Sequence, residues 1–388
     1  MELMIYDKLT KNLNNIVEVR NKVNYHFVNG PWAEVLGNQT GKYNVKFINK
    51  RNGNVLFTTE LSNNTWAKCN IEYFIDWRIE IWEGNTLFFE HDYTATNKRV
   101  YLALSSKALG DTLAWFPYFD EFQKVHNCEL IVSTFHNEML ESQYPNIEFV
   151  KPGQSVENLY AMYTVGLFYN EDGSVNNRKN PNDFKSQTMQ KMGSDILGLP
   201  YKEIKPKLPS SDIVKDDKLI TIAIHGTAQS KYWNNPNGWQ EVVNWLNDKG
   251  YTVKLLSQEN NDYMGNKHPT GVVKHPAGSL EKVMDEMRKS KAFIGIGSGL
   301  SWLSWALGTK TVLISGFSYD WAEMQDCVRI TSPKDKCGGC FNRLKLDAGD
   351  WNWCPDHKGT DRQFECTKAI TSQMVINELE KFLWKRFG

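Results

Sequence analysis

The chain has 388 residues, 41% hydrophobic and 23% charged, which suits two or three ordinary globular domains and sets disorder aside. Lys plus Arg and Asp plus Glu both total 45, so there is no basic excess of the kind that binds nucleic acid. No run approaches the ~18 apolar residues of a membrane span, and MELMIYDKLTKN lacks the apolar core of a signal peptide, so the expected location is the cytoplasm.

Residues 1 to about 15 carry little pattern. From about 17 to 95, segments such as KYNVKFIN, GNVLFTTEL, EYFIDWRIEIW and NTLFFEHDY alternate apolar and polar residues between turn signals. This predicts a small β barrel or sandwich over residues 1–96, with no chemistry of its own and a role in interaction or assembly. At about residue 98 the pattern changes to strand, helix, strand. RVYLALSS is a strand, DTLAWFPYFDEFQKVH reads as one amphipathic helix, and CELIVST and NIEFVKP are further strands. Residues 170–186 read as a polar loop and SQTMQKMGSDILGLP as a helix. The Pro-, Ser- and charge-rich stretch 205–218 is a linker, so residues 97–210 form one Rossmann-like domain and 211–388 a second.

In that second domain LITIAIH, YTVKLLS, KAFIGIG and KTVLIS are strands. PNGWQEVVNWLNDKG, SLEKVMDEMRKS (with Ser279 as N-cap) and SGLSWLSWALG are helices. The last stretch, TKAITSQMVINELEKFLWKRF, is an amphipathic helix expected to cross back to the preceding domain. Of the seven cysteines, Cys69, Cys128 and Cys327 are scattered fillers, whereas Cys337, Cys340, Cys354 and Cys366 cluster.

Four motifs carry chemistry. In SSKALGDTLAW, Gly110 permits a tight turn after a strand, and Asp111 stands where open α/β sheets place ligands. It either accepts a proton from a hydroxyl nucleophile or caps its helix. In IHGTAQSKYWNNPNGW, the loop holding Thr227, Ser230 and Lys231 offers N–H groups, hydroxyls and an ammonium to a diphosphate, or is a plain solvated connection. Trp233 and Trp239 are wall or core residues. In FIGIGSGLSWLSWALG, Gly297, Ser298 and Gly299 open a helix at a strand's end, a phosphate-ready arrangement to which Ser301 adds a hydroxyl. The motif is neither a dinucleotide fingerprint nor a Walker loop, and ISGFS after the next strand is placed to line the same cleft. The fourth motif, over residues 337–366, supplies four thiolates, which in a cytoplasmic chain favour a closed tetrahedral zinc or iron site over disulfides. His357 is read as a surface neighbour.

Together and in this order, ALGDTLAW, the IHGTAQSKYWN loop, IGSGLSWLSWALG with ISGFS, and the cysteine segment resemble the bacterial autotransporter heptosyltransferases. These are the TibC-like, strand-loop-strand O-heptosyltransferases, related to family 9 glycosyltransferases. The resemblance implies an α/β chain of GT-B fold: two Rossmann-like domains behind an N-terminal β-barrel domain. It implies ADP-heptose as donor, serine hydroxyls of an autotransporter passenger as acceptor, iron at the cysteines with zinc as the alternative, and a ring-shaped homo-oligomer, a dodecamer. Carried over, Asp111 is the base, Lys231 faces the donor diphosphate, and Cys337, Cys340, Cys354 and Cys366 hold the iron. Thr112, Thr227, Gly297, Ser298, Gly299, Leu300 and Ser301 complete the expected donor contacts. Trp302 departs from the family 9 habit of a His in this helix. Two rival readings are a lipopolysaccharide-type heptosyltransferase and a non-catalytic, metal-stabilised sugar-binding or assembly protein. The cysteine site argues against the first, and the Gly110-Asp111 turn with the Lys231 loop against the second.

Overall fold

The computed structural model describes residues 21–276 and 278–383, so the patternless first segment and the last five residues lie outside it. The chain divides into two compact units. Of the described residues, the first comprises those up to Phe27 with Pro31–Cys69 and Asp76–Tyr93, and the second comprises the rest.

Strands β1 (Lys22–Val28), β2 (Trp32–Leu36), β3 (Lys42–Asn49), β4 (Asn54–Ser62), β5 (Thr65–Lys68), β6 (Trp77–Glu83) and β7 (Thr86–Asp92) build the first unit. They lie in antiparallel sheets, one of order β4-β3-β6-β7 with β4 and β7 at its edges, the other carrying β1-β2-β5. The alternation read from the sequence is the pleat itself: Tyr43, Val45 and Phe47 of β3 and Trp77, Ile79 and Ile81 of β6 point to one buried face. Each such side chain contributes roughly 1.5–3 kcal/mol of burial.

The second unit holds two parallel sheets. The first has the order β10-β9-β8-β11, from β8 (Arg99–Leu104), β9 (Glu129–Ser133), β10 (Glu148–Phe149) and β11 (Ala161–Val165). Its helices include α1 (Leu109–Trp115), α2 (Pro117–His126), the short α3 (Asn137–Leu140) and α4 (Met189–Ile196). The single helix expected over Asp111–His126 is therefore two. Pro117 takes the first position of α2, where its missing N–H costs nothing, and so starts a new helix in place of continuing α1. The strand expected at NIEFVKP shrinks to two residues, and β11 was not foreseen.

The other sheet has the order β14-β13-β12-β15-β16-β17. Its strands are β12 (Asp216–Ala223), β13 (Thr252–Leu255), β14 (Val273–Lys274), β15 (Ser290–Ile296), β16 (Thr311–Ile314) and β17 (Val328–Ile330). Near-continuous burial along β12, β15 and β16 fits a sheet covered on both faces. Around it lie α5 (Gly238–Asp248), α6 (Leu280–Lys289) and α7 (Gly299–Ala306). Then follow the short α8 (Cys340–Arg343) and α9 (Glu365–Lys368), and α10 (Ser372–Leu383). Ser279 stands at the N-cap of α6, but its hydroxyl makes no capping bond. In α10, Val375, Leu379 and Leu383 pack into the core of this second sheet beside α5 and β17, so the described part of the last helix serves its own sheet instead of crossing back.

Candidate active site

Two strand-to-helix turns meet where the sheets end. From β8 the chain runs through Ser105–Ala108 into α1, and from β15 through Gly297 and Ser298 into α7. The two helix starts touch because both carry glycine. A Cβ on Gly110 would fall 2.9 Å from Trp302 Cδ1, and one on Gly299 would fall 3.0 Å from Leu109 Cβ and 3.3 Å from the Gly110 nitrogen. Trp302 is thus a buried packing residue against α1, which accounts for an indole at this position.

The meeting point opens into a cleft of about 590 Å³. Asp111, Thr227, Lys231, Gly297, Ser298, Gly299 and Leu300 all line it, as do Phe317 and Ser318 of the ISGFS stretch. Asp111 is not the N-cap of α1. That position is Ala108, and Asp111 lies in the first turn. Burial pushes its carboxyl above the usual carboxylate range, opposed by a hydrogen bond from Ser106 and by the Lys231 charge. Lys231 ends a short 3₁₀ turn, Gln229–Lys231, after β12. Burial holds its ammonium below the usual lysine range, opposed by the charges of Asp111 and Glu323. Its Nζ donates to Thr227 Oγ1 at 3.1 Å and sits 5.5 Å above the Phe317 ring. Among the described residues the Ser298 hydroxyl is buried without a hydrogen-bond partner, and it stands at the N-cap of α7, before the N–H groups of its first turn.

Two expected contacts are absent. Thr112 is fully buried, and its Oγ1 turns back to the Ala108 carbonyl at 3.3 Å. Ser301 is also fully buried and donates to the Ile296 carbonyl at 2.6 Å. Each hydroxyl lies on the inner face of its helix, so neither reaches the cleft. Ser230 is likewise turned away, toward the cysteine segment. Trp233 is core, its Nε1 donating to the Ile370 carbonyl at 2.8 Å, and Trp239 packs partly buried against the same core.

Sequence reading missed several residues of this region. A neighbouring pocket of about 270 Å³ opens past β12 and β13, lined by His225, Leu256, Glu259, His275, Leu280 and Val283 among others. Among the described residues both His275 ring nitrogens and His225 Nε2 are buried without partners, and burial lowers the His225 pKa to about 4. Glu323 and Lys345 also line the cleft. Their only sequence signal is position, Glu323 following the β16 loop and Lys345 following the first cysteine pair.

Cys340, Cys354 and Cys366 are buried and Cys337 half-buried, all as free thiols. The four line one enclosed cavity of about 10 Å³. Burial raises the Cys366 thiol, and the charges of Cys337, Cys340 and Cys354 raise it further. Four cysteine sulfurs lining one small cavity are the donor chemistry that a thiophilic metal takes. The Phe364 N–H donates to Cys354 Sγ at 3.4 Å. Among the described residues, the set of three ligand atoms gathered within 4.8 Å is that of Cys337, His357 and Glu365. His357 is thus half-buried at this cluster and not a surface neighbour. The segment is fastened to the cleft. Gln229 N–H donates to the Trp351 carbonyl at 3.0 Å, Asn234 Nδ2 to Thr367 Oγ1 at 2.8 Å, and Phe341 N–H to the Phe317 carbonyl at 3.1 Å.

An acid and a cation facing one desolvated cleft, beside a glycine-led helix start, are the equipment of a group-transfer enzyme with a phosphorylated substrate. Residues 181–333 match the family model of glycosyltransferase family 9 (heptosyltransferase). The α/β chain is a glycosyltransferase. It is 35% identical over 361 residues to the autotransporter heptosyltransferase BAHTCr of Citrobacter rodentium, covering 89% of this chain and 87% of the relative. The crystal structure of TibC from enterotoxigenic E. coli H10407, a bacterial iron-containing dodecameric glycosyltransferase, matches with a TM-score of 0.85 at 32% identity, covering 93% of this chain and 96% of that one. A second TibC structure is a complex with ADP-D-beta-D-heptose. BimC of Burkholderia thailandensis, named an inactive autotransporter heptosyltransferase, is 28% identical over 314 residues, covering 78% of this chain and 73% of the relative. This chain belongs to the autotransporter heptosyltransferase family. No helix among the described residues is long and apolar enough to cross a membrane.

Proposed function

We propose that this chain transfers heptose from ADP-heptose to serine hydroxyls of an autotransporter passenger by direct displacement, with Asp111 as base. The observation that carries this reading is the convergence of Asp111 and Lys231 on one cleft with the Gly297-Ser298-Gly299 turn. The pocket past β12 and β13 has room and unpartnered ring nitrogens for the nucleoside. The diphosphate then lies at Lys231, Thr227 and the start of α7, where the ammonium, the Ser298 hydroxyl and the helix N–H groups meet it. The acceptor oxygen bonds to the anomeric carbon as the bond from that carbon to the phosphate oxygen breaks. The serine proton passes to Asp111, and ADP leaves with its charge facing Lys231. A positioned base contributes ~10²–10⁴-fold, and a preorganised donor at the leaving group contributes ~10²–10³-fold.

The architecture is read as two Rossmann-like halves of a GT-B enzyme behind the small β unit, with the cysteine segment as a metal finger. Cys337, Cys340, Cys354 and Cys366 would hold iron, with His357 and Glu365 beside them. When bound, the metal would supply charge balance for the thiolates and a cross-link for the segment. TibC's dodecameric state supports a ring-shaped homo-oligomer here as well, and a cytoplasmic site of action is part of the same proposal.

The inactive relative BimC favours one rival, a non-catalytic scaffold. Incubation with ADP-heptose and a serine-rich passenger fragment, read by intact mass, decides between them. Steps of one heptose establish transfer. ADP release without a mass step points to another acceptor, and neither product gives the scaffold reading.

A further inference from the structure

Besides Asp111 and Glu259, the cleft holds a carboxylate from Glu323 that the displacement does not use. It lies beyond β16 and is buried, 8% exposed. One oxygen, Oε2, is fully engaged: Ser318 Oγ donates to it at 2.7 Å and Arg329 Nη1 at 2.9 Å. Ser318 is steadied by Ser315 at 3.0 Å, and Arg329 is anchored by a 2.9 Å bond from its Nη2 to the Met324 carbonyl. The pair is desolvated, Arg329 being 10% and Glu323 9% exposed at the side chain. The other oxygen, Oε1, makes no hydrogen bond among the described residues. It lies 3.0 Å from the point a Cβ on Gly297 would occupy, so the carboxylate reaches the start of α7 only because residue 297 has no side chain. Lys231 feels its charge. A carboxylate held on one oxygen leaves the other facing the cleft, where it can accept hydrogen bonds from a ligand that enters.

We infer that Glu323 is a specificity-determining residue whose Oε1 accepts hydrogen bonds from hydroxyls of the donor sugar. This rests on the proposed donor. A phosphate has no proton to give at neutral pH and is repelled by a carboxylate, whereas sugar hydroxyls are donors. The locked rotamer means that Oε1 waits in place, so little ordering is required when the sugar arrives.

Glu323→Gln tests the inference with little disturbance of the fold. Ser318 and Arg329 both donate to Oε2, so the amide oxygen must take that place, leaving an NH₂ at the Oε1 position. The variant keeps its internal bonds and presents a neutral donor to the cleft. Calorimetric titration with ADP-heptose and with ADP alone should show ADP binding as in wild type, and the extra affinity conferred by the sugar lost by roughly ten- to a hundredfold. A series of ADP-heptose analogues each lacking one hydroxyl should include one that wild type binds weaker by the same factor and Glu323→Gln does not discriminate. Equal weakening of ADP and ADP-heptose in the variant, or no weakening of either, overturns the inference while the donor assignment stands. Wild-type indifference to every missing hydroxyl overturns it even if the variant does not fold. Wild type binding ADP-heptose no tighter than ADP removes the sugar site and the donor reading together.

Discussion

The Asp111 carboxylate and the Lys231 ammonium face the same desolvated cleft, and each is the strongest opposite charge acting on the other. Burial outweighs that attraction for both, raising the acid and lowering the amine. Both groups are therefore held closer to neutrality than in water, the acid a better base and the amine more responsive to an arriving diphosphate.

Asp111→Asn should lower turnover by ~10²–10⁴-fold and leave ADP binding near that of wild type. Its effect on stability has the opposite sign. The raised pKa means the folded chain holds this proton more tightly than the unfolded chain, so the group's contribution is full below the ordinary carboxylate value and is lost as pH rises through the raised one. Asparagine mimics the protonated form, and the variant should unfold at or above the wild-type temperature at neutral pH. Thermal unfolding and single-turnover transfer check both signs, and near-normal turnover would remove Asp111 as the base.

The pH profile of kcat/KM follows from the same pair. The proposed displacement needs Asp111 ionised and Lys231 protonated. A raised acid moves the acid limb up and a lowered amine moves the alkaline limb down, giving a window narrower than the span from 3.8 to 10.5 set by the unperturbed groups. Lys231→Arg should abolish the alkaline limb, because a guanidinium stays charged there. An alkaline limb unchanged in that variant would belong to another group.

The local part of this site was legible in the sequence. A strand, a small-residue turn and a helix start are contiguous, so Gly110-Asp111 and Gly297-Ser298-Gly299 announced themselves. What spacing does not encode is which face of a helix a hydroxyl occupies. Thr112 and Ser301 each sit one position beyond a lining residue, Asp111 and Leu300, yet both turn inward to carbonyls of preceding residues. Convergence across the fold is also invisible in one dimension: Glu323 reaches the start of α7 only through Gly297's missing side chain. Strand β11 escaped notice because AMYTV lies between aromatic loop residues that blur its alternation, and the break at Pro117 was masked by apolar spacing running through both helices.

Gly299→Ala should separate folding from chemistry. Its new Cβ would stand 3.0 Å from Leu109 Cβ and 3.3 Å from the Gly110 nitrogen, a backbone atom that yields only if α1 and α7 part. Overpacking of this kind costs about 1–3 kcal/mol, and a displacement on the order of 1 Å at a reacting group costs roughly 10²-fold in rate. Denaturant unfolding should show the modest loss, with kcat falling further than ADP affinity. A variant with full activity would mean that the two helix starts need not touch.

On the proposed function, cysteine replacement should be felt in the cleft as well as at the proposed metal site. The segment's hold on the catalytic loops runs through Trp351 to Gln229, Thr367 to Asn234 and Phe341 to Phe317. Gln229 opens the turn that ends in Lys231. Cys337→Ser should release metal, lower Tm by several degrees and raise the KM for ADP-heptose more than it lowers kcat, because Lys231 loses its brace while Asp111 keeps its place on α1. Metal analysis, thermal unfolding and steady-state kinetics on one preparation give the three readouts. A metal-free variant with wild-type Tm and KM would detach the cysteines from both structure and function. A loss confined to kcat would place the segment's influence on Asp111 instead of Lys231.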